Sequence, residues 1–312
     1  MSTIVLVHGI AQEQLSADTL EAAWLPDLAG GVRNGGDDAL ADRLWRLGRP
    51  SDISVRMAYY GSLFLDPEAQ GHSDLEIGLD GDPNDLAEAL AEAWLDTAAG
   101  HAGDPRDQVE ARRLLVALTD DCQDAQGVRA RVRPAMNGLA RLRWFAPLGI
   151  GLAGKFVRRS LTQVTRYLTD DTIRTGAQDQ VLALIGPETR LVIGHSLGSV
   201  VAYEALHRTD TPTALLTLGS PLGLRSVVYD RLRPRPPFVP ACVTRWDNLV
   251  DPDDLVAAHL DLSPYFPPHN GSTVRPVTPP GLDNGSRPHD PTHYLTKPTT
   301  GRIITASMAN AR

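Results

Sequence analysis

The chain has 312 residues, 42% of them hydrophobic and 22% charged, which is enough apolar material for one large core, and no composition break marks a linker. A formal net charge of −8 excludes a general electrostatic attraction for nucleic acid, so any anionic partner must be met by a local basic patch. The two cysteines, Cys122 and Cys242, stand far apart outside any CxxC pattern and read as reduced, partly buried thiols.

The first element is a strand over residues 3–8, whose β-branched and aliphatic residues run without alternation, as burial on both faces requires. Helical patterning follows from about Ser16 to Leu47, expected to break at Pro26 and at the glycine-rich stretch Gly30–Gly36. A second strand is expected over Asp52–Tyr60. Residues 61–170 differ from the rest and read as a helical insertion, a lid or cap within a single domain spanning 1–312. Asp82-Pro83-Asn84-Asp85 starts a helix there, with Leu86, Leu90, Ala93 and Trp94 on one face, and a second helix is expected over Gln108 to Cys122.

Buried parallel strands return at Arg190–Gly194, Ala214–Gly219 and Cys242–Trp246, with a weaker one near Ser272–Val277. Helices are expected at about 172–185, 197–208 and 222–233, and a closing helix from Thr299 to Ala309. Alternating buried strands and helices predict an α/β fold, a mostly parallel central sheet covered by helices on both faces.

The sharpest local signal is Leu191-Val192-Ile193-Gly194-His195-Ser196-Leu197-Gly198-Ser199-Val200-Val201. It is a buried strand, then G-x-S-x-G, then an amphipathic helix, the setting in which that pentapeptide carries a nucleophile. The glycines let neighbouring backbone pass a tight turn, and the helix start supplies backbone N–H groups and a positive dipole end for a developing oxyanion. Ser196 is therefore the expected nucleophile, whereas His195 and Ser220 read as structural.

With these pieces in view, the chain resembles the α/β-hydrolase superfamily, on the side of bacterial lipase- and esterase-like members. The likeness rests on Val7-His8-Gly9-Ile10, the segment around Ser196, Leu218-Gly219-Ser220-Pro221-Leu222, the run from Trp246 to Asp254, and Pro288-His289-Asp290 with Tyr294-Leu295. It does not cover 61–170. The resemblance implies an oxyanion hole from the backbone N–H groups of Ile10 and Leu197, and the chain order Ser, Asp or Glu, His.

That order restricts the acid to the cluster Asp247, Asp251, Asp253 and Asp254 after the strand at 242–246. Asp254-Leu255-Val256 resembles the Asp-x-Val piece that carries the acid in many lipases, so Asp254 is favoured, with Asp251 the rival, Asp247 too early at the strand edge and Asp253 read as a cap for a helix near Leu255. Among the later histidines, His259 is expected inside that helix and His269 before the last strand. His289, in a loop ahead of a short helix, is favoured as the base, and His293, one turn inside that helix, is the alternative.

The expected chemistry is hydrolysis of a carboxylic ester, of a small molecule or a lipid, through an acyl-enzyme and without a cofactor or metal. Acyl transfer to another acceptor, thioester hydrolysis, or a catalytically silent binding module remain open. Residues 129–159 hold eight Arg or Lys and no Asp or Glu around the apolar run from Trp144. This stretch reads either as a peripheral membrane contact or as an apolar hairpin with solvated arginines. No leader peptide or membrane span is read, a soluble cytoplasmic protein is expected, and the Asn-Gly-Ser sequons at Asn270 and Asn284 count as chance matches. The oligomeric state is not legible.

Overall fold

The computed structural model describes residues 2–45, 52–65, 82–120, 135, 137–142, 150–257 and 259–309. Six strands form one sheet: β1 (Ser2–Val7), β2 (Ile53–Ala58), β3 (Thr189–His195), β4 (Thr213–Leu218), β5 (Val243–Leu249) and β6 (Pro276–Val277). Their order is β2-β1-β3-β4-β5-β6, and every neighbouring pair is parallel.

The strands explain their own composition. Ile4 and Leu6 pack into one core with Leu191, Ile193 and Leu216, while Val5 and Val7 enter the other with Val192 and Leu215. Side chains alternate across a sheet, so a strand covered on both faces must be apolar at every position.

Helices α1 (Ala17–Asn34) and α2 (Asp38–Leu44) cover the first face, joined there by two C-terminal helices at Pro291–Leu295 and Pro298–Ala309. The second face is covered by α3 (Asp82–His101), α4 (Pro105–Asp120), α5 (Ile150–Thr169), α6 (Asp171–Leu182) and α7 (Leu197–Leu206). The two C-terminal helices are α8 and α9. This is an α/β-hydrolase-like architecture. Among the described residues no helix is long and apolar enough to cross a membrane.

Several expectations change. Pro26 does not break the first helix, because α1 runs through it. Tertiary packing overrides the lost hydrogen bond: a Cβ at Gly31 would lie 1.9 Å from the Leu295 carbonyl oxygen, so α1 lies directly against α8. The helix expected at 222–233 is instead two short 3-10 turns, at Pro221–Gly223 and Tyr229–Arg231, whose intervening Leu224, Val227 and Val228 are all buried. The helix expected near Leu255 is also missing, and His259 lies outside any helix. There the Asp251 and Asp254 carboxylates accept the N–H groups of Asp253 and Val256 two residues on, a local pairing that competes with helix formation.

Of the basic stretch 129–159, the apolar run Trp144–Gly149 and most of the preceding arginines lie outside the described residues, as does Cys122. Cys242 is a free, buried thiol, and burial pushes its pKa up to about 11.

A buried ion pair locks the second layer. Arg174 on α6 and Glu204 on α7 are 2% and 1% exposed. Glu204 accepts Arg174 Nε (2.8 Å), the Tyr167 hydroxyl (2.7 Å), Gln178 Nε2 (2.9 Å) and the Arg233 N–H (2.9 Å). One carboxylate thus ties α5, α6, α7 and the loop at 233. Glu204→Leu leaves Arg174 charged, buried and unpaired, so urea unfolding is expected to show a loss of about 3–5 kcal/mol. Adding Arg174→Met should recover part of it, since the isolated charge is then removed.

Candidate active site

The chain steps from β1 outward to β2, then returns to place β3 on the other side of β1. The sheet order reverses at that point, leaving a crevice at the carboxyl ends of β1 and β3, where open α/β sheets bind ligands. The loop 8–11 leaves β1 there, and Ser196 leaves β3.

Ser196 joins β3 to α7 with φ 53° and ψ −129°, a conformation that a side-chain-bearing residue adopts at a cost of order 1–3 kcal/mol. The surroundings enforce it. Its N–H donates to the Leu218 carbonyl (3.0 Å), and its carbonyl accepts from the Ser199 N–H (2.9 Å) and hydroxyl (2.6 Å). The Ser199 proton being committed, Ser220 must donate to Ser199 Oγ (2.6 Å) while it caps the Leu222 N–H (3.3 Å). A Cβ at Gly198 would sit 2.3 Å from the carbonyl oxygens of both Val7 and His8, so only glycine lets α7 start this close to the end of β1. At Gly9 a Cβ would lie 2.9 Å from the Ser196 Cβ. Leu197 is the first residue of α7, where backbone N–H groups have no intrahelical acceptor.

The loop after β1 is oriented by its histidine. His8 stacks on Tyr60 at a ring separation of 4.2 Å, and its Nε2 accepts the Tyr60 N–H (3.2 Å). The proton must then be on Nδ1, which donates to the Gly9 carbonyl (2.7 Å). Carbonyl and N–H point opposite ways across a planar peptide, so this bond directs the Ile10 N–H away from His8. Burial lowers the His8 pKa from its ordinary 6.5 to about 4, opposed by the bond to Gly9, and the ring stays neutral near pH 7.

Asp254 is fully buried. Its Oδ2 accepts His289 Nδ1 (2.8 Å) and the Tyr294 hydroxyl (2.8 Å), and its Oδ1 accepts the Val256 N–H (3.0 Å). The proton on His289 therefore sits on Nδ1, leaving Nε2 with its lone pair. His289 and Ser196 line one cavity of about 320 Å³, together with Gly9, Ile10, Phe156 and Trp24.

The loop carrying His289 is pinned at three points. Its own carbonyl accepts from His195 Nε2 (2.9 Å), the Pro288 carbonyl accepts from Asn284 Nδ2 (3.0 Å), and the Asn284 N–H donates to Asp251. Burial, then the nearby His289, holds the His195 pKa well below its usual value, so it is a neutral donor.

Of the sequence candidates, the structure brings Asp254 and His289 together and keeps the two alternatives apart from that pair. The Asp251 carboxylate is spent on the N–H groups of Asp253 and Asn284. Burial raises its pKa against those two bonds. His293 Nδ1 faces the Asn284 carbonyl (2.8 Å) on α8. Asn284 is itself 3% exposed, which leaves its sequon no room for a glycan.

Sequence reasoning gave no role to Tyr294, whose hydroxyl accepts the Asp251 N–H (2.9 Å) and donates to Asp254, nor to the side chain of His8. A tyrosine five residues after a histidine carries no local signal of such a bond. Comparison of the chain with protein-family models, with curated proteins and with solved structures finds no match in any of the three.

The buried histidine makes stability depend on pH. Between pH 6.5 and about 4 the unfolded chain takes up a proton at His8 that the folded protein refuses, so stability falls as pH drops through that window. His207, held down to about 4 mainly by burial, adds a contribution of the same sign. Urea unfolding at about pH 7, 5.5 and 4.5 should show the decline, at no more than about 1.4 kcal/mol per pH unit for each histidine. A His8→Gln variant should show a shallower slope.

Proposed function

We propose that the protein is a serine hydrolase that cleaves carboxylic esters, with Ser196 as nucleophile, His289 as general base and Asp254 as the acid that orients it. The observation that carries this reading is the buried Asp254–His289 hydrogen bond of 2.8 Å, on an imidazole that shares a cavity with Ser196.

The bond to Asp254 holds the tautomer in which Nε2 can take the Ser196 proton as Oγ attacks the ester carbonyl. The imidazolium so formed is stabilised by the carboxylate. The negative charge on the carbonyl oxygen is met by the N–H groups of Ile10 and Leu197. Collapse breaks the C–O bond, His289 returns the proton to the leaving alkoxide, and an alcohol departs. Water then attacks the acyl-enzyme through the same base, releasing the carboxylic acid and regenerating Ser196.

A cavity of about 320 Å³ lies at the small end of ligand sites, which favours a compact ester over a long-chain glyceride. A second cavity beside His289 is far smaller, about 10 Å³. Ile10, Trp94, Leu139, Phe156, Leu255 and Val256 close around His289 there as an apolar wall.

The test is labelling with a fluorophosphonate and hydrolysis of short p-nitrophenyl esters. Wild-type protein is expected to carry the adduct on Ser196 and turn over acetate or butyrate esters. Ser196→Ala should lose both. Asp254→Asn should lower kcat by about 10⁴-fold through the wrong tautomer. His289→Ala should lower it by up to about 10⁶-fold, and His293→Ala by less than about ten-fold. Folded wild-type protein that neither labels nor hydrolyses overturns the reading in favour of a silent module.

A further inference from the structure

The loop that follows β1 is held from the far side by the helical segment between β2 and β3. Ala11 has φ 61°, a left-handed conformation that a residue with a Cβ does not adopt unaided. Both polar ends of the Ile10–Ala11 peptide are engaged. Gln12 Nε2 donates to the Ile10 carbonyl (3.2 Å), and the Ala11 N–H donates to Gln163 Oε1 (2.8 Å).

Gln163 lies on α5, 4% exposed and 152 residues away in sequence. Its other end is also specified: Nε2 donates to Glu13 Oε2 (2.8 Å), and Glu13 Oε1 pairs with Arg159 Nε (2.6 Å). Phe156, Arg159 and Gln163 follow one another at i, i+3 and i+7, so one stripe of α5 meets the loop. Phe156 ends that stripe in the wall of the Ser196 cavity.

We infer that Gln163 is a positioning residue for the ester reaction: it holds the Ile10–Ala11 peptide in its left-handed turn so that the Ile10 N–H faces the developing oxyanion. This rests on the ester-hydrolase reading. His8 aims the Gly9–Ile10 peptide from one side, and Gln163 fixes the next peptide from the other. The Ala11 N–H, committed to Gln163, is withdrawn from the cavity, which leaves Ile10 as the donor of this loop. The amide meets both demands, accepting from Ala11 while donating to the Glu13 carboxylate. A glutamate here would set two carboxylates against each other, and a methionine fills the volume with neither function.

The experiment compares wild type with Gln163→Met and Gln163→Glu, with rates expressed per site titrated by the fluorophosphonate so that unfolded protein does not count. The expected result for Gln163→Met is a fall in kcat of about 10–100-fold with KM changed less than about three-fold, because the lost alignment matters most when charge is on the oxygen. Affinity for a trifluoromethyl ketone, which forms an oxyanion on Ser196, should fall in the same proportion as kcat/KM. Amide hydrogen exchange in residues 8–13 should quicken, with exchange in β3 unchanged. Gln163→Glu should show the same pattern.

An unchanged kcat per titrated site, or a kcat loss not matched by the ketone, overturns the positioning role while leaving the ester reading in place. Wild-type protein that neither labels nor hydrolyses overturns both.

Discussion

Contact between the turn at Ser196 and the end of β1 constrains everything else in the crevice. Two glycines make it: Gly198 lets the start of α7 press against the Val7 and His8 carbonyls, and Gly9 lets the loop after β1 pass the Ser196 Cβ. Neither spacing tolerates a methyl group without moving backbone. The serine is therefore held at positive φ beside the loop after β1, and its orientation is set by backbone rather than by a side-chain bond of its own. Strain of this kind persists only where the surroundings over-determine it, and Ser199, Ser220 and Leu218 supply that excess.

Across the crevice, two buried histidines fix backbone carbonyls while staying neutral. His8 and His195 are both buried and both pushed towards the neutral form, so neither adds a positive charge to the crevice. Each works through a backbone carbonyl, of Gly9 in one case and of His289 in the other. Tyr294 bridges the two acidic turns, accepting from the Asp251 backbone and donating to Asp254, so the Asp254 carboxylate is fixed from behind as well as by Val256. A buried carboxylate with several partners in place is rigid, and it fixes the orientation of the His289 ring bonded to it.

The helices between β2 and β3 are joined to this arrangement at more than one place. Through Gln163 and Glu13, α5 grips the loop after β1, and through Tyr167 and Arg174 the Glu204 carboxylate anchors α5 and α6 to α7, the helix that begins at the serine. A Cβ at Gly103, beyond α3, would lie 2.3 Å from Asp253, beside the acid turn. The segment between β2 and β3 is thus braced against the loop after β1, against α7 and against the turn at Asp253.

Local physics made a large part of this legible from residues alone. Strands buried on both faces must be apolar at every position, so β1, β3 and β4 stand out, and G-x-S-x-G between a strand and a helix is read within eleven residues. The choice of Asp254 over Asp251 rested on likeness to a family, and that of His289 over His293 on the same likeness and on its place in a loop ahead of a helix. Their pairing is a contact across 35 residues that depends on how two loops meet. The helices expected at 222–233 and near Leu255 failed because side-chain oxygens and tight packing served the backbone better than a helix would. The roles of His8, Tyr294 and Gln163 were invisible for one reason: each depends on a hydrogen bond to a residue distant in the chain, Tyr60, Asp254 and Ala11 in turn, and such a bond leaves no periodicity. Sequence determined the buried strands and which residue types stand at the crevice; only tertiary structure decided which of them touch, because contact depends on distances that no local pattern encodes.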